Sequence, residues 1–263
     1  MKIGVCMKQV PSSEARISIS DSQKGVDDSV YSRMVMNVYD EFALEEAVQL
    51  KERGIATEVI VFTIDKESVE AQLRGALAIG ADRAVRIDPT GIENADCLGI
   101  SQVLAAALKA EEVQIVMCGK QSMDGDNAQV PSMIAEFLNW NQVSVVSKLE
   151  IDGDAFKAHK DIGGGSKAVI SGTLPAVFSC DKGLNKPRFP KLKEKLAAKK
   201  KPIDSKTVSD LGLDASEINQ ALVQETNWSL PTQREECKFI DGADVNTAVA
   251  ELLSLLKNEA KVL

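Results

Sequence analysis

Aromatic residues make up only 4% of this 263-residue chain, histidine occurs once, and none of the five cysteines sits in a Cys-x-x-Cys pair. Few ring faces means no stacking platform for single-stranded nucleic acid. The lone histidine, His159, stands beside Lys160 and Asp161 in a strand pattern, and no Gly-x-Ser-x-Gly elbow occurs. No nucleophile-base set is therefore legible, and acid-base catalysis is not expected. Cys6, Cys97, Cys118, Cys180 and Cys237 are odd in number and scattered, which argues against a disulfide framework, a zinc site or an iron-sulfur cluster and for a reducing compartment. No apolar run approaches eighteen residues, and "MKIGVCMKQV" enters a strand pattern at once. The expectation is a cytoplasmic chain that is not membrane-inserted. A net charge of -8 and a pI near 4.9 would repel a polyphosphate partner, so no nucleic acid is expected and any anion site must be local.

What is present is alternation. Short, continuous apolar bursts recur at 3–7, 58–64, 84–88, 114–119 and 176–180, which is how buried parallel strands read. Between them lie helical periods over 40–54, 66–80 and 95–112, two of them closing on glycine. The fold class is α/β: an open, mainly parallel, doubly wound sheet. After Trp140 the pattern changes to strict alternation around "DGD" and "GGGS", a β-hairpin insertion over 142–171. From 203 onward the chain reads as an extended tail ending in the amphipathic helix "DVNTAVAELLSLLKNEAK". One such helix cannot make its own core, so the tail is expected to pack on the main domain or on a partner.

"GKQSMDGDNAQVP", 119–131, follows the strand "QIVMCG". A calcium loop opening at Asp124 would need its closing glutamate at the position of Ala135, so metal spacing fails. The stretch instead leaves the carboxyl end of a strand and enters the helix "AQVPSMIAEFL", the edge where open parallel sheets bind ligands and where helix amides favour phosphate. It is neither a Walker loop nor Gly-x-Gly-x-x-Gly. Two readings stay open on these residues alone: a nucleotide cradle, or a plain loop in which Asp126 or Asn127 caps the helix.

Gly119, Lys120, Gln121, Ser122, Asp124, Gly125, Asp126 and Gln129, together with "VCMKQVP", "MNVYDEFALEEAVQLKE", "LRGALAIGADRAVRI", "DIGGGSK" and "LPAVFSCDKGLNKPRFPKLKEKLAAKKKPI", resemble the β subunit of electron transfer flavoprotein across nearly the whole length. That resemblance implies an adenine-nucleotide α-hydrolase-like domain over 1–202, with a partner-docking loop at 184–201 and a tail over 203–263 packing on a partner subunit. It implies a heterodimer with an α subunit that holds most of the FAD, and an electron carrier without turnover of its own. Electrons would come from flavin dehydrogenases such as acyl-CoA dehydrogenases and go to a quinone oxidoreductase or another acceptor.

The same resemblance implies a structural AMP held by Cys6, Asn37, Val38, Tyr39, Asp40, Ile64 and the run Gly119, Lys120, Gln121, Ser122, Met123, Asp124, Gly125, Asp126, Asn127, Ala128, Gln129 and Val130. Tyr39 matches a position that touches the flavin; a second family aromatic, near Ser13, is absent. Leu192 matches the residue that anchors the dehydrogenase. Of the eight basic residues between Lys186 and Lys201, a charge run alone would give a solvated segment. Some members carry a second FAD in place of AMP and bifurcate electrons; "AHKDIGGGSK" is closer to the AMP-binding form, with the second FAD kept as the alternative. An ATP-using adenylyl transferase or pyrophosphatase on a related fold is the competing enzyme, opposed by "KQVPSSEA" where a phosphate loop would follow the first strand.

Overall fold

The computed structural model describes residues 1–22, 25–233 and 236–263, in two compact units, Met1–Trp228 and Ser229–Leu263. In chain order the first unit contains β1 (Lys2–Cys6), β2 (Gln9–Pro11), β3 (Met34–Met36), α1 (Val38–Glu52), β4 (Glu58–Ile64), α2 (Glu70–Ile79), β5 (Arg83–Ile87), α3 (Cys97–Ala110), β6 (Ile115–Gly119) and α4 (Val130–Leu138). It continues through β7 (Asn141–Asp152), β8 (Ala155–Asp161), β9 (Lys167–Thr173), β10 (Ala176–Cys180), α5 (Leu192–Ala198), β11 (Ile203–Lys206) and α6 (Ala215–Ile218).

The main sheet has nine strands in the order β11-β5-β4-β1-β6-β10-β7-β8-β9. All pairs from β11 to β7 are parallel, and β7-β8-β9 is an antiparallel meander. The doubly wound α/β sheet follows from the apolar bursts: β4 and β10 span 58–64 and 176–180 as expected, and each is buried on both faces. Side chains alternate between two cores. Ile3 and Val5 face α1 and α2, whereas Cys6, Ile60 and Phe62 face α3 and α4. Gly4 sits where a Cβ would run into Leu108 of α3, so glycine permits that helix to close on the sheet.

The chain builds outward from β1 through β4 to β5, then crosses back and continues on the other side with β6 and β10. A topological switch point therefore lies at the carboxyl ends of β1, β4 and β6, where such sheets open a crevice. A two-stranded antiparallel ribbon, β2 with β3, carries the chain from β1 to α1.

The insertion turns where "DGD" and "GGGS" lie, at Gly153 and at Gly163, Gly164 and Gly165, all at positive φ, and so forms a three-stranded meander. One feature was not legible in the sequence. Residues 203–206, at the head of the segment read as a tail, hydrogen bond to β5 as an edge strand, and Val208 and Ile218 are buried in the α3 core. Four residues of modest hydrophobicity give no strand period, and their pairing is set by the neighbouring edge. In the second unit, α7 (Val245–Asn258) starts on an Asp244 side-chain cap and has no buried residue; Val245, Val249, Leu252 and Leu253 are exposed. Among the described residues no helix is long and apolar enough to cross a membrane.

Candidate functional site

Cys6 and Ile64 end β1 and β4, the run from Gly119 to Val130 joins β6 to α4, and Asn37 to Asp40 open α1. All these elements meet at the switch-point crevice; Leu192, the first residue of α5 and 74% exposed, belongs elsewhere.

The start of α1 is fastened to this edge by two buried polar side chains. Asp40 Oδ2 accepts from the backbone N–H of Lys8 at 2.8 Å, and Oδ1 from that of Gly119 at 3.0 Å. One carboxylate thus joins the exits of β1 and β6. Burial pushes its pKa up to about 7, against the pull of the Lys8 and Gly119 amides and the Asn37 side chain. Asn37, buried, donates through Nδ2 to Gln121 O at 2.9 Å and accepts on Oδ1 from Met123 N–H at 3.2 Å. Gly119 is where α1 and β6 come closest: a Cβ there would press into Asp40 Oδ1 and lie 2.7 Å from Tyr39 Cβ. No larger residue fits that approach.

The loop beyond is cross-braced. Lys8 Nζ meets both Asp124 oxygens at 2.8 and 2.7 Å; burial raises the Asp124 pKa, but hydrogen bonding by Lys8 and Ser122 and the Lys8 charge leave it below the ordinary value. Lys120 Nζ pairs with Asp181 at 2.9 Å, which raises its pKa, and lies 4.9 Å above the half-buried Tyr39 ring. Gln121 Nε2 donates to Asp126 Oδ1 at 2.7 Å, and Asp126 and Ala128 take positive φ values of 50° and 54°.

Neither Asp126 nor Asn127 caps α4. Its N-cap is Gln129, without a side-chain bond, followed by Val130 and Pro131; Asp126 is committed to Gln121, and Asn127 Nδ2 reaches Cys97 Sγ at 3.7 Å. Among the described residues, no internal hydrogen bond uses the N–H of Asn127, Ala128, Gln129 or Val130. These amides lie at the positive end of the α4 dipole, an arrangement suited to a phosphate or another anion. Met123 is 47% exposed on the same loop.

Sequence reasoning missed several participants. Lys8, Asp181 and Cys97 brace the loop from three other elements, and each could only be found by knowing which strand ends are neighbours. Gln9 was also missed; it is buried, hydrogen bonds the side chain of Asp65 just past β4, and leaves its Oε1 without a partner. Cys118 lies in register with Cys6, and the contact between the two thiols together with burial raises its pKa well above the ordinary value. That thiol is inert. No trio of histidine, cysteine or acidic side chains among the described residues is placed to hold a metal ion.

The comparisons with known proteins agree among themselves. A model of the electron transfer flavoprotein domain matches residues 29–211. The chain is 36% identical over 264 residues to the electron transfer flavoprotein subunit beta of Bradyrhizobium diazoefficiens and to that of Bacillus subtilis, in both cases over the whole of each chain. It is 36% identical over 217 residues to the subunit of the same name from Homo sapiens, covering 81% of this chain and 84% of the relative.

Proposed function

The chain belongs to the electron transfer flavoprotein β-subunit family, and on that footing we propose that it pairs with an α subunit, binds one AMP in the switch-point crevice and serves as an electron carrier rather than an enzyme. Electrons would enter from flavin dehydrogenases such as acyl-CoA dehydrogenases and leave to a quinone oxidoreductase or another acceptor.

The observation that carries the nucleotide reading is the strand-to-helix loop from Gly119 to Val130, with its unused amides at the α4 N-terminus and its base fastened by Asn37 and Asp40. The residues present fit an adenine nucleotide. Amides of Asn127 to Val130 would hold its phosphate. No carboxylate, histidine or thiol here is arranged to move a proton in a reaction, which suits a bound nucleotide that is not consumed.

FAD, when bound, supplies the one- and two-electron chemistry of the complex. This chain's contribution is positional. Tyr39, held under Lys120, presents a ring face that excludes water from whatever lies against it. The loop 184–201, with Leu192 exposed, would dock the dehydrogenase, and α7, with its uncovered apolar face, would pack on the α subunit.

The test is reconstitution. The isolated chain is expected to be colourless and to become part of a yellow complex only with its α partner. A flavin spectrum from the isolated chain at one equivalent would sink the assignment of FAD to the other subunit.

A further inference from the structure

The segment between β10 and α5 presents apolar side chains to solvent while being held from below. Phe189 is 95% exposed and Leu192 74%, and Lys191 and Lys193 flank Leu192. A segment with so little apolar burial would ordinarily move freely. Here Arg188 prevents that. Its Nε and Nη2 donate to Glu45 at 2.9 Å each, and Nη2 also donates to Glu52 at 2.9 Å. The backbone N–H of Arg188 adds a bond to Glu45 Oε2 at 3.2 Å, and Asn185 Nδ2 donates to Phe42 O and to Glu46 Oε2.

Glu45 explains why the hold is strong. It is 2% exposed on α1, and a carboxylate removed from water is tolerated only when paired. The cation that reaches it is Arg188, so the segment cannot lift away without leaving a buried charge unpaired. A lysine could satisfy one carboxylate as a point charge but could not bridge two with a planar fork.

We infer that Arg188 is a positioning residue which locks the 185–191 segment onto α1 and so presents Phe189 and Leu192 to a protein partner already ordered. The chemistry implied for the partner is an apolar depression with an acidic rim, complementary to Leu192 among lysines. An anchor ordered beforehand loses less freedom on docking, which lowers the concentration needed for capture and leaves electron transfer within the complex untouched. The inference rests on reading 184–201 as the docking loop.

The experiment uses the assembled heterodimer with an acyl-CoA dehydrogenase and its acyl-CoA substrate, a pair first shown to reduce the wild-type flavin. Arg188→Lys and Leu192→Ala are compared by hydrogen exchange over 184–191 and by reduction rate against heterodimer concentration. For Arg188→Lys, exchange is expected to speed up and the half-saturating concentration to rise about three- to tenfold, with the maximal rate within about twofold of wild type. Unchanged exchange would overturn the lock whatever Leu192→Ala does. Faster exchange without a change in half-saturation, where Leu192→Ala does raise it, would overturn the preordering. If neither variant shifts half-saturation, the docking reading itself has failed and the inference falls with it. Should Arg188→Lys not assemble, Glu52→Gln removes only the exposed half of the fork, with Glu52 56% exposed, and is judged by the same outcomes.

Discussion

Gly119→Ala adds one methyl group where α1 crosses the end of β6. That Cβ would press into Asp40 Oδ1 and sit 2.7 and 2.9 Å from Tyr39 Cβ and carbonyl carbon. The Tyr39 atoms are main chain and Cβ, and the Asp40 carboxylate is pinned by the Lys8 and Gly119 amides, so α1 or β6 must shift, an overpacking cost of about 1–3 kcal/mol. The shift also breaks the Gly119 N–H bond to the buried Asp40 carboxylate, worth about 1–3 kcal/mol when the acceptor stays buried. Restricting the unfolded chain returns about 0.4–1 kcal/mol, which leaves a net loss of about 1–5.6 kcal/mol. The control is Gly125→Ala on the same loop, where the nearest atoms are the ends of the Asn127 and Ser122 side chains at 3.6 Å; it should stay within about 0.5 kcal/mol of wild type. Urea denaturation of the assembled heterodimers, with bound nucleotide quantified in parallel, separates the two. Equal midpoints and equal nucleotide content for both variants would refute the clasp between α1 and β6.

The Asp40 pKa, raised from 3.8 to about 7, means that the folded state holds this proton more tightly than the unfolded chain. Its stabilising contribution is full below about pH 4, declines as pH rises toward 7 and is level above it; a wild-type minus Asp40→Asn stability difference that instead rose over that window would contradict the burial argument. Leu192→Ala should slow reduction by a partner dehydrogenase while leaving flavin content unchanged, and unaffected transfer from every dehydrogenase tested would remove the anchor assignment. Asp126→Ala frees Gln121 and puts alanine at a positive φ that aspartate tolerates better, so AMP content and heterodimer yield should fall more than the flavin spectrum changes; normal AMP and assembly would show that the side chain has no binding role.

The main sheet was legible because its strands are continuous apolar runs, and β4 and β10 needed nothing beyond local pattern. β11 was not, since four residues with two exposed acquire their pairing only from β5. The position of the candidate loop was legible for a related reason: strand, glycine and helix follow one another in sequence. Its internal wiring was not. Lys8 reaches Asp124 across 116 residues, Asn37 reaches Gln121 across 84, and Lys120 reaches Asp181 between the ends of the neighbouring strands β6 and β10. Local pattern also left open whether Asp126 or Asn127 caps α4; the loop uses them for Gln121 and Cys97, and the helix begins on Gln129. Charge alone would make the run from Lys186 to Lys201 a solvated segment, whereas Arg188 is committed to two carboxylates and Lys201 donates to the carbonyls of Leu77 and Ala81 at the end of α2. For Asn127, Arg188 and Lys201 the partner lies on another element, 30 to 143 residues away.

The predicted occupant of the crevice is a nucleotide that takes no part in redox chemistry. Denaturing the purified heterodimer and identifying the released nucleotides tests this most directly. One FAD and one AMP per heterodimer is the predicted result; two FAD and no AMP would contradict it.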